Sequence, residues 1–206
     1  MKIALIAFDQ FTDLDLFLPW DLLNRVRLLG RKADWEVKIL GTQIYHTSVS
    51  GLSIPTTASI EEANQADAVL FASGHGVQSL LQDQVYLERF NLNPKTQLIG
   101  AMCSGVLILG ALGLLTNRKA TTYPTAREKL ASYGVKVVRE SFVIQENIAT
   151  AAGCLAGVEL VDWVIRSLVD ELTAREVLAT VQPMLEEELI NDPIDRGREN
   201  SLFISC

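Results

Sequence analysis

The stretch Gln97-Leu98-Ile99-Gly100-Ala101-Met102-Cys103-Ser104-Gly105 decides the fold. Its apolar part is typical of a buried strand, and the residues that follow, 104–115, predict a helix. The strand therefore runs into the helix without a loop, and the small residues Ala101 and Gly105 stand two positions to either side of Cys103. In so sharp a turn larger side chains would collide, so the pattern predicts a nucleophile elbow with sulfur in place of oxygen.

Cys103 is the candidate nucleophile at this elbow. Because it stands at the N-terminus of the predicted helix, we expect backbone N–H groups and the helix dipole to lower its pKa. The alternative is that Cys103 is a small buried hydrophobe, as free cysteines commonly are. The elbow pattern favours the interpretation of Cys103 as a nucleophile.

Outward from the elbow, strands and helices alternate along the chain. The sequence predicts strands at 2–8, 35–40, 68–72 and 97–102, and helices at 16–29, 84–90, 104–115, 156–168 and 173–189. This alternation indicates an α/β fold, a mostly parallel sheet with helices on both faces. Ligands bind beyond the carboxyl ends of such strands, which selects the loops after Phe8, Ala72 and Met102.

The loop after Ala72 reads Ser73-Gly74-His75-Gly76. Its glycines allow the backbone to approach a ligand closely, and its N–H groups could form an oxyanion hole. A plain glycine turn is the alternative. His75 is either a base or a solvated loop histidine.

The loop after Phe8 carries three aspartates, of which Asp15 stands between Leu14 and Leu16. A helix cap is the ordinary role for an aspartate at such a place. In apolar surroundings, however, the pKa of a carboxyl group rises, so Asp15 could exchange a proton with a thiol.

Composition restricts the class of protein. The chain has 206 residues, 49% of them hydrophobic, and a formal net charge of −7. We expect one domain over residues 1–190 and a C-terminal tail over 191–206. The acidic balance argues against nucleic-acid binding, and no apolar run is long enough to span a membrane. The N-terminus does not resemble a signal peptide, so we expect a cytoplasmic protein.

Three cysteines and two histidines limit the chemistry further. The cysteines show no paired spacing, which argues against a disulfide framework and a zinc knuckle. With so few histidines we expect no metal site, and thiol chemistry of this kind needs no cofactor.

In combination, these segments resemble the ThiJ/PfpI superfamily over about residues 1 to 185. The resemblance rests on the following stretches: 2–8 with Leu14-Asp15-Leu16, Ala72-Ser73-Gly74-His75-Gly76, Cys103-Ser104-Gly105, Leu109-Gly110-Ala111-Leu112-Gly113-Leu114-Leu115, Arg118-Lys119-Ala120-Thr121-Thr122-Tyr123 and Gly157-Val158-Glu159. It implies the flavodoxin-like three-layer sandwich of the class I glutamine amidotransferase-like proteins, and a homodimer.

Within the superfamily, the chain is most similar to isocyanide hydratases and to the ligand-binding domains of AraC-type regulators. The resemblance implies that Cys103 is the nucleophile and Asp15 its acidic partner. It also implies that the Ser104 hydroxyl contacts the thiol and that Gly74 belongs to the oxyanion site.

The chain also departs from the superfamily pattern. Ser104 and Tyr123 stand where many members have histidine, and Ser73-Gly74 replaces the usual glycine pair. These changes lower the expectation of peptidase or glyoxalase activity. We expect a small-molecule substrate or its oxyanion to be bound by Ser73, Gly74, His75 and Tyr123.

Two functions remain open. The first is a cysteine-dependent hydratase or hydrolase in which Cys103 attacks a small electrophile such as an isocyanide and Asp15 moves the protons. The second is a non-catalytic module that senses a small ligand or oxidative stress through Cys103. The tail is too short for a helix-turn-helix domain, so we do not expect a complete AraC-type regulator.

Overall fold

The computed structural model describes residues 1–183, so the predicted tail and the end of the predicted domain lie outside the described residues. Its strands are β1 (Lys2–Ile6), β2 (Glu36–Gly41), β3 (Tyr45–Thr47), β4 (Ser53–Pro55), β5 (Ala58–Ser59), β6 (Ala68–Phe71), β7 (Leu98–Met102), β8 (Lys119–Ala120), β9 (Lys136–Val137), β10 (Phe142–Gln145) and β11 (Ile148–Ala151). Its helices are α1 (Asp13–Leu28), α2 (Val77–Leu80), α3 (Gln84–Glu88), α4 (Val106–Ala111), α5 (Arg127–Ala131), α6 (Gly157–Leu168) and α7 (Glu171–Ala179).

A seven-stranded sheet forms the centre, in the order β10-β11-β7-β6-β1-β2-β5. All neighbouring strands pair in parallel except β10 and β11, which are antiparallel. Every residue of β6 and β7 is buried, as expected of strands covered on both faces. The prediction of a mostly parallel sheet with helices is confirmed.

The strand order places the candidate site. The chain passes from β1 to β2 on one side, and the next long strands, β6 and β7, lie on the other side of β1. The direction in which successive strands are added to the sheet therefore reverses between β1 and β6. In parallel sheets a crevice forms beyond the carboxyl ends of the strands at such a point. The loops after β1, β6 and β7 meet there, as the sequence predicts.

Several predicted helix bounds are wrong. Helix α1 begins at Asp13 and not at the predicted residue 16, so Pro19 lies in its interior. Proline cannot donate to the carbonyl of the residue four positions earlier, Asp15. The predicted helix 104–115 consists of a 3-10 turn, Cys103–Gly105, followed by the short α4. Helix α7 ends before Pro183, and the remainder of the predicted helix lies beyond the described residues.

Across the described range, no helix combines the length and the apolar composition that a bilayer crossing requires.

The elbow has the backbone geometry that its pattern predicts. Cys103 has a φ of +53°, in the left-handed region that non-glycine residues rarely adopt. A Cβ atom at Gly105 would overlap the carbonyl oxygen of Ala72, at the end of the neighbouring strand β6. The close approach of the turn to β6 therefore requires glycine at position 105.

This contact yields a stability prediction. The substitution Gly105→Ala forces the elbow and Ala72 apart, and we expect it to lower the free energy of unfolding by about 1–3 kcal/mol. Gly153→Ala is the matched control, because a Cβ atom there meets nothing within 4 Å and the glycine has an ordinary φ. Urea denaturation followed by circular dichroism measures both variants. Equal stabilities would contradict a tightly packed elbow.

Candidate active site

The loop after β1 is tied to the loop after β6. The backbone N–H of Thr12 donates to the carbonyl of Ser73 at 2.7 Å, and Phe11 forms an isolated bridge with Gly74. A Cβ atom at Gly74 would overlap the carbonyl oxygen of Gln10, so this approach requires glycine. Helix α1 begins directly after the contact, which fixes where its first turn points.

Asp15 lies in that first turn and its side chain is directed inward. The residue is only 1% exposed, more deeply buried than a cap would be. Neither carboxyl oxygen has a hydrogen-bond partner within the described part of the chain. Burial raises the pKa of Asp15, and the nearby Cys154 thiol and Ser73 offset this rise only in part.

The structure brings Asp15 and Cys103 together. A carboxyl oxygen of Asp15, the Sγ of Cys103 and the Sγ of Cys154 all lie within 4.8 Å of one another. Both cysteines are partly exposed, whereas Asp15 is buried beneath them. The cluster therefore sets a buried carboxyl group beside a thiol that is partly exposed to solvent.

The expectation of a lowered pKa for Cys103 is wrong. Burial raises the pKa of the Cys103 thiol, and the negative charge of Asp15 raises it further. The Ser73 hydroxyl and the backbone N–H of Ser104 favour the thiolate but do not reverse the shift. Since only a 3-10 turn and a short helix follow Cys103, the helix dipole is weak there.

Ser104 connects the elbow to the loop after β6. Its hydroxyl accepts a hydrogen bond from the backbone N–H of Gly74 at 3.3 Å and lies 3.5 Å from the Gly74 carbonyl. In this structure the Ser104 hydroxyl therefore accepts from the backbone N–H that we expect to bind an oxyanion. The Cys103 thiol is contacted by the backbone N–H of Ser104 and not by its hydroxyl.

A further contact holds the elbow in place. The Thr122 hydroxyl donates to the carbonyl of Cys103 at 2.7 Å. The next residue, Tyr123, is exposed, as is His75 in the loop after β6. That these two side chains contact a substrate stays a prediction. The second histidine, His46, is buried on β3, where its Nδ1 lies 3.2 Å from Asp9.

Cys154 is the site residue that sequence reasoning missed. It begins the 3-10 turn that precedes α6. Cys154 follows β11, and β11 pairs in parallel with β7. A prediction of this pairing would have identified Cys154 as a neighbour of Cys103. The carboxyl ends of the two strands are adjacent, which sets Cys154 beside Cys103.

The donor set of this cluster is two thiols and one carboxyl group. Sulfur and oxygen donors of this kind suit Zn²⁺. The small number of histidines therefore does not by itself argue against a metal at this site, and the expectation of no metal stays a prediction.

Two relatives of known activity are similar to this chain. The isonitrile hydratase of Pseudomonas putida is 28% identical over 188 residues, which cover 90% of this chain and 78% of that protein. The glutathione-independent glyoxalase DJ-1 of Schizosaccharomyces pombe is 26% identical over 178 residues, covering 80% and 91% respectively.

The fold is shared with a solved structure of an AraC family transcriptional regulator from Pseudomonas putida. The TM-score is 0.71 at 19% identity, covering 88% of this chain and 99% of the other. A family model described as the DJ-1/PfpI family matches residues 1–167. This match agrees with the elbow, the sheet order and the cysteine–aspartate pair, and the chain belongs to the DJ-1/PfpI family.

Proposed function

We propose that the protein is a cysteine-dependent hydratase that acts on a small electrophile, with an isocyanide as the substrate class. The observation that carries the proposal is the buried, unpartnered carboxyl group of Asp15 within 4.8 Å of the Cys103 sulfur. The similarity to an isonitrile hydratase over 90% of the chain supports this choice of substrate, since isonitrile and isocyanide name the same group.

The first step is activation of the thiol. The pKa of Cys103 is raised, so at neutral pH the thiol needs a base to form its nucleophilic thiolate. The pKa of the Asp15 carboxyl is also raised, which makes this group a stronger base than an exposed aspartate. Passing the proton from Cys103 to Asp15 replaces a buried carboxylate by a neutral acid and relieves its desolvation.

The second step forms a covalent intermediate. The Cys103 thiolate attacks the terminal carbon of the isocyanide, and Asp15 returns its proton to that same carbon. The product is a thioimidate, in which sulfur and hydrogen have added to one carbon. Asp15 is again a carboxylate, ready to act as a base.

The third step is hydrolysis. Asp15 takes a proton from water as the water oxygen attacks the thioimidate carbon. The thioimidate nitrogen takes up that proton from Asp15. The added hydroxyl group then passes its proton through Asp15 to the Cys103 sulfur as the carbon–sulfur bond breaks and the carbonyl forms. Isocyanide and water have combined into an N-substituted formamide, with no net oxidation and no other reactant.

Neighbouring groups position this chemistry. The Thr122 hydroxyl fixes the Cys103 carbonyl, and the left-handed φ of Cys103 turns its side chain out of the strand. The hydroxyl of Ser104, now bonded to the Gly74 N–H, can be exchanged for a polar atom of the substrate. Gly74 with Ser73, His75 and Tyr123 forms the proposed binding surface.

The residue pattern favours hydration over the glyoxalase activity of the S. pombe relative. Ser104 and Tyr123 stand where the resemblance to the superfamily leads one to expect histidines. Of the two histidines, His46 on β3 pairs with Asp9, and His75 is exposed on the loop after β6. The Asp15 carboxyl is therefore the group best placed to move protons at Cys103.

Substitution of the two proposed catalytic residues tests this function. We expect Cys103→Ala to abolish turnover of an aliphatic isocyanide to its formamide, because no covalent intermediate can form. Asp15→Asn, which keeps the shape but cannot take a proton, is expected to lower kcat by about 10²–10⁴-fold. Formamide production measured by liquid chromatography gives both rates.

Cys206→Ser is the matched control for loss of a thiol, and we expect it to retain full turnover. Methylglyoxal is assayed in parallel. Full isocyanide turnover by Cys103→Ala would overturn the proposal, as would turnover of methylglyoxal alone by the wild-type protein. A protein inactive on every substrate would favour the sensing module instead.

The electrostatics of the pair predict the pH dependence of Cys103. Because burial and the charge of Asp15 raise its pKa, we expect alkylation of Cys103 by iodoacetamide to reach half its maximal rate above the ordinary cysteine pKa of about 8.5. Asp15→Asn removes the negative charge, so the thiolate becomes less unfavourable and the midpoint moves to lower pH. Mass spectrometry of the Cys103-bearing peptide follows the reaction. An unmoved midpoint would show that the two groups do not interact.

A further inference from the structure

The proposed hydratase reaction uses only two of the three clustered side chains. Cys154 has no part in it, yet its Sγ lies within 4.8 Å of both the Cys103 sulfur and an Asp15 oxygen. Burial and the adjacent Asp15 raise the pKa of Cys154 to about 12, so this thiol keeps its proton in the resting protein. A second thiol within 4.8 Å of a nucleophilic one can take part in its reversible oxidation.

We propose that Cys154 is a resolving cysteine, which closes a disulfide with Cys103 after a hydroperoxide has oxidised Cys103. The inference rests on the proposed function only in taking Cys103 as the reactive sulfur of the site. It assigns a reversible, protective modification to a residue that the hydration chemistry does not need.

The chemistry occurs in two balanced steps. First, Asp15 takes the proton of Cys103 and the thiolate attacks an oxygen of the hydroperoxide. The O–O bond breaks, the sulfur is oxidised to a sulfenic acid, and the Asp15 proton passes to the departing oxygen to give an alcohol or, from hydrogen peroxide, water. Second, the Cys154 sulfur attacks the Cys103 sulfur, its proton passes through Asp15 to the departing hydroxide, and the S–O bond breaks to release water as the S–S bond forms.

The geometry allows this closure. The two sulfurs must move from within 4.8 Å of each other to about 2.05 Å. The two cysteines follow different strands, β7 and β11, so each side chain can rotate without unfolding the other element. Gly153 precedes Cys154 and has open space beside it, which leaves the turn room to adjust.

The exposure of the two cysteines to solvent also supports oxidation of Cys103 followed by disulfide formation. Cys103 and Cys154 are both partly exposed, so a small hydroperoxide can reach the sulfur that the elbow presents. Without a resolving thiol, sulfenic acid is oxidised further to sulfinic acid, which ordinary thiols do not reduce. Cys154 is close enough to intercept the sulfenic acid before a second hydroperoxide arrives.

The experiment treats the full chain with hydrogen peroxide and maps its cysteines. Trypsin cleavage after Lys and Arg places Cys103, Cys154 and Cys206 on three separate peptides. In the wild-type protein we expect a mass loss of about 2 Da, a Cys103–Cys154 cross-linked peptide and full reversal by dithiothreitol. In Cys154→Ser we expect a gain of about 32 Da on the Cys103 peptide that dithiothreitol does not reverse.

Cys206→Ser is the matched control and is expected to form the Cys103–Cys154 disulfide as the wild type does. A cross-link that disappears in this variant, or oxidation of Cys103 that is the same with and without Cys154, would overturn the proposal. Peptide mapping reads the sulfur atoms directly. A protein that fails to hydrate isocyanides can therefore still form the disulfide, and the two proposals fail separately.

Discussion

The placement of the buried Asp15 carboxyl group within 4.8 Å of the Cys103 sulfur is the constraint on which the candidate site depends. A carboxyl group with 1% exposure and no hydrogen-bond partner among the described residues is unfavourable when charged. Such a group is retained at a cost to stability, and it is well suited to accept and return a proton. The tie between Thr12 and Ser73 and the close packing of Gly105 against Ala72 hold the carboxyl group and the sulfur at this separation.

The fold could be predicted from the sequence to a large extent, because its strongest signals are local. Apolar runs of strand length alternate with helical patterns, and Ala101 and Gly105 around Cys103 mark the elbow. The bounds of the helices were less predictable. Pro19 lies inside α1 and α4 is short, because packing against the sheet decides where a helix starts and ends.

The site was predicted in part. The strand-end rule predicts that the loops carrying Asp15, Ser73, Gly74 and Cys103 are neighbours. In the structure Thr12 bonds to Ser73, Gly74 bonds to Ser104, and Asp15 lies within 4.8 Å of Cys103. Cys154 was missed because its position depends on β11 pairing with β7, a long-range contact that local patterns do not encode. The pKa of Cys103 was predicted in the wrong direction, since burial and the charge of Asp15 follow from tertiary structure and outweigh the helix terminus.

The central claim is that Cys103 forms a covalent bond with the substrate while Asp15 supplies the proton. Rapid acid quenching during isocyanide turnover, followed by intact-protein and peptide mass spectrometry, tests it most directly. The account predicts a transient adduct with the mass of one substrate molecule, located on the Cys103 peptide. Formamide formation at the full rate with no adduct on Cys103, or with the adduct on another residue, would contradict it.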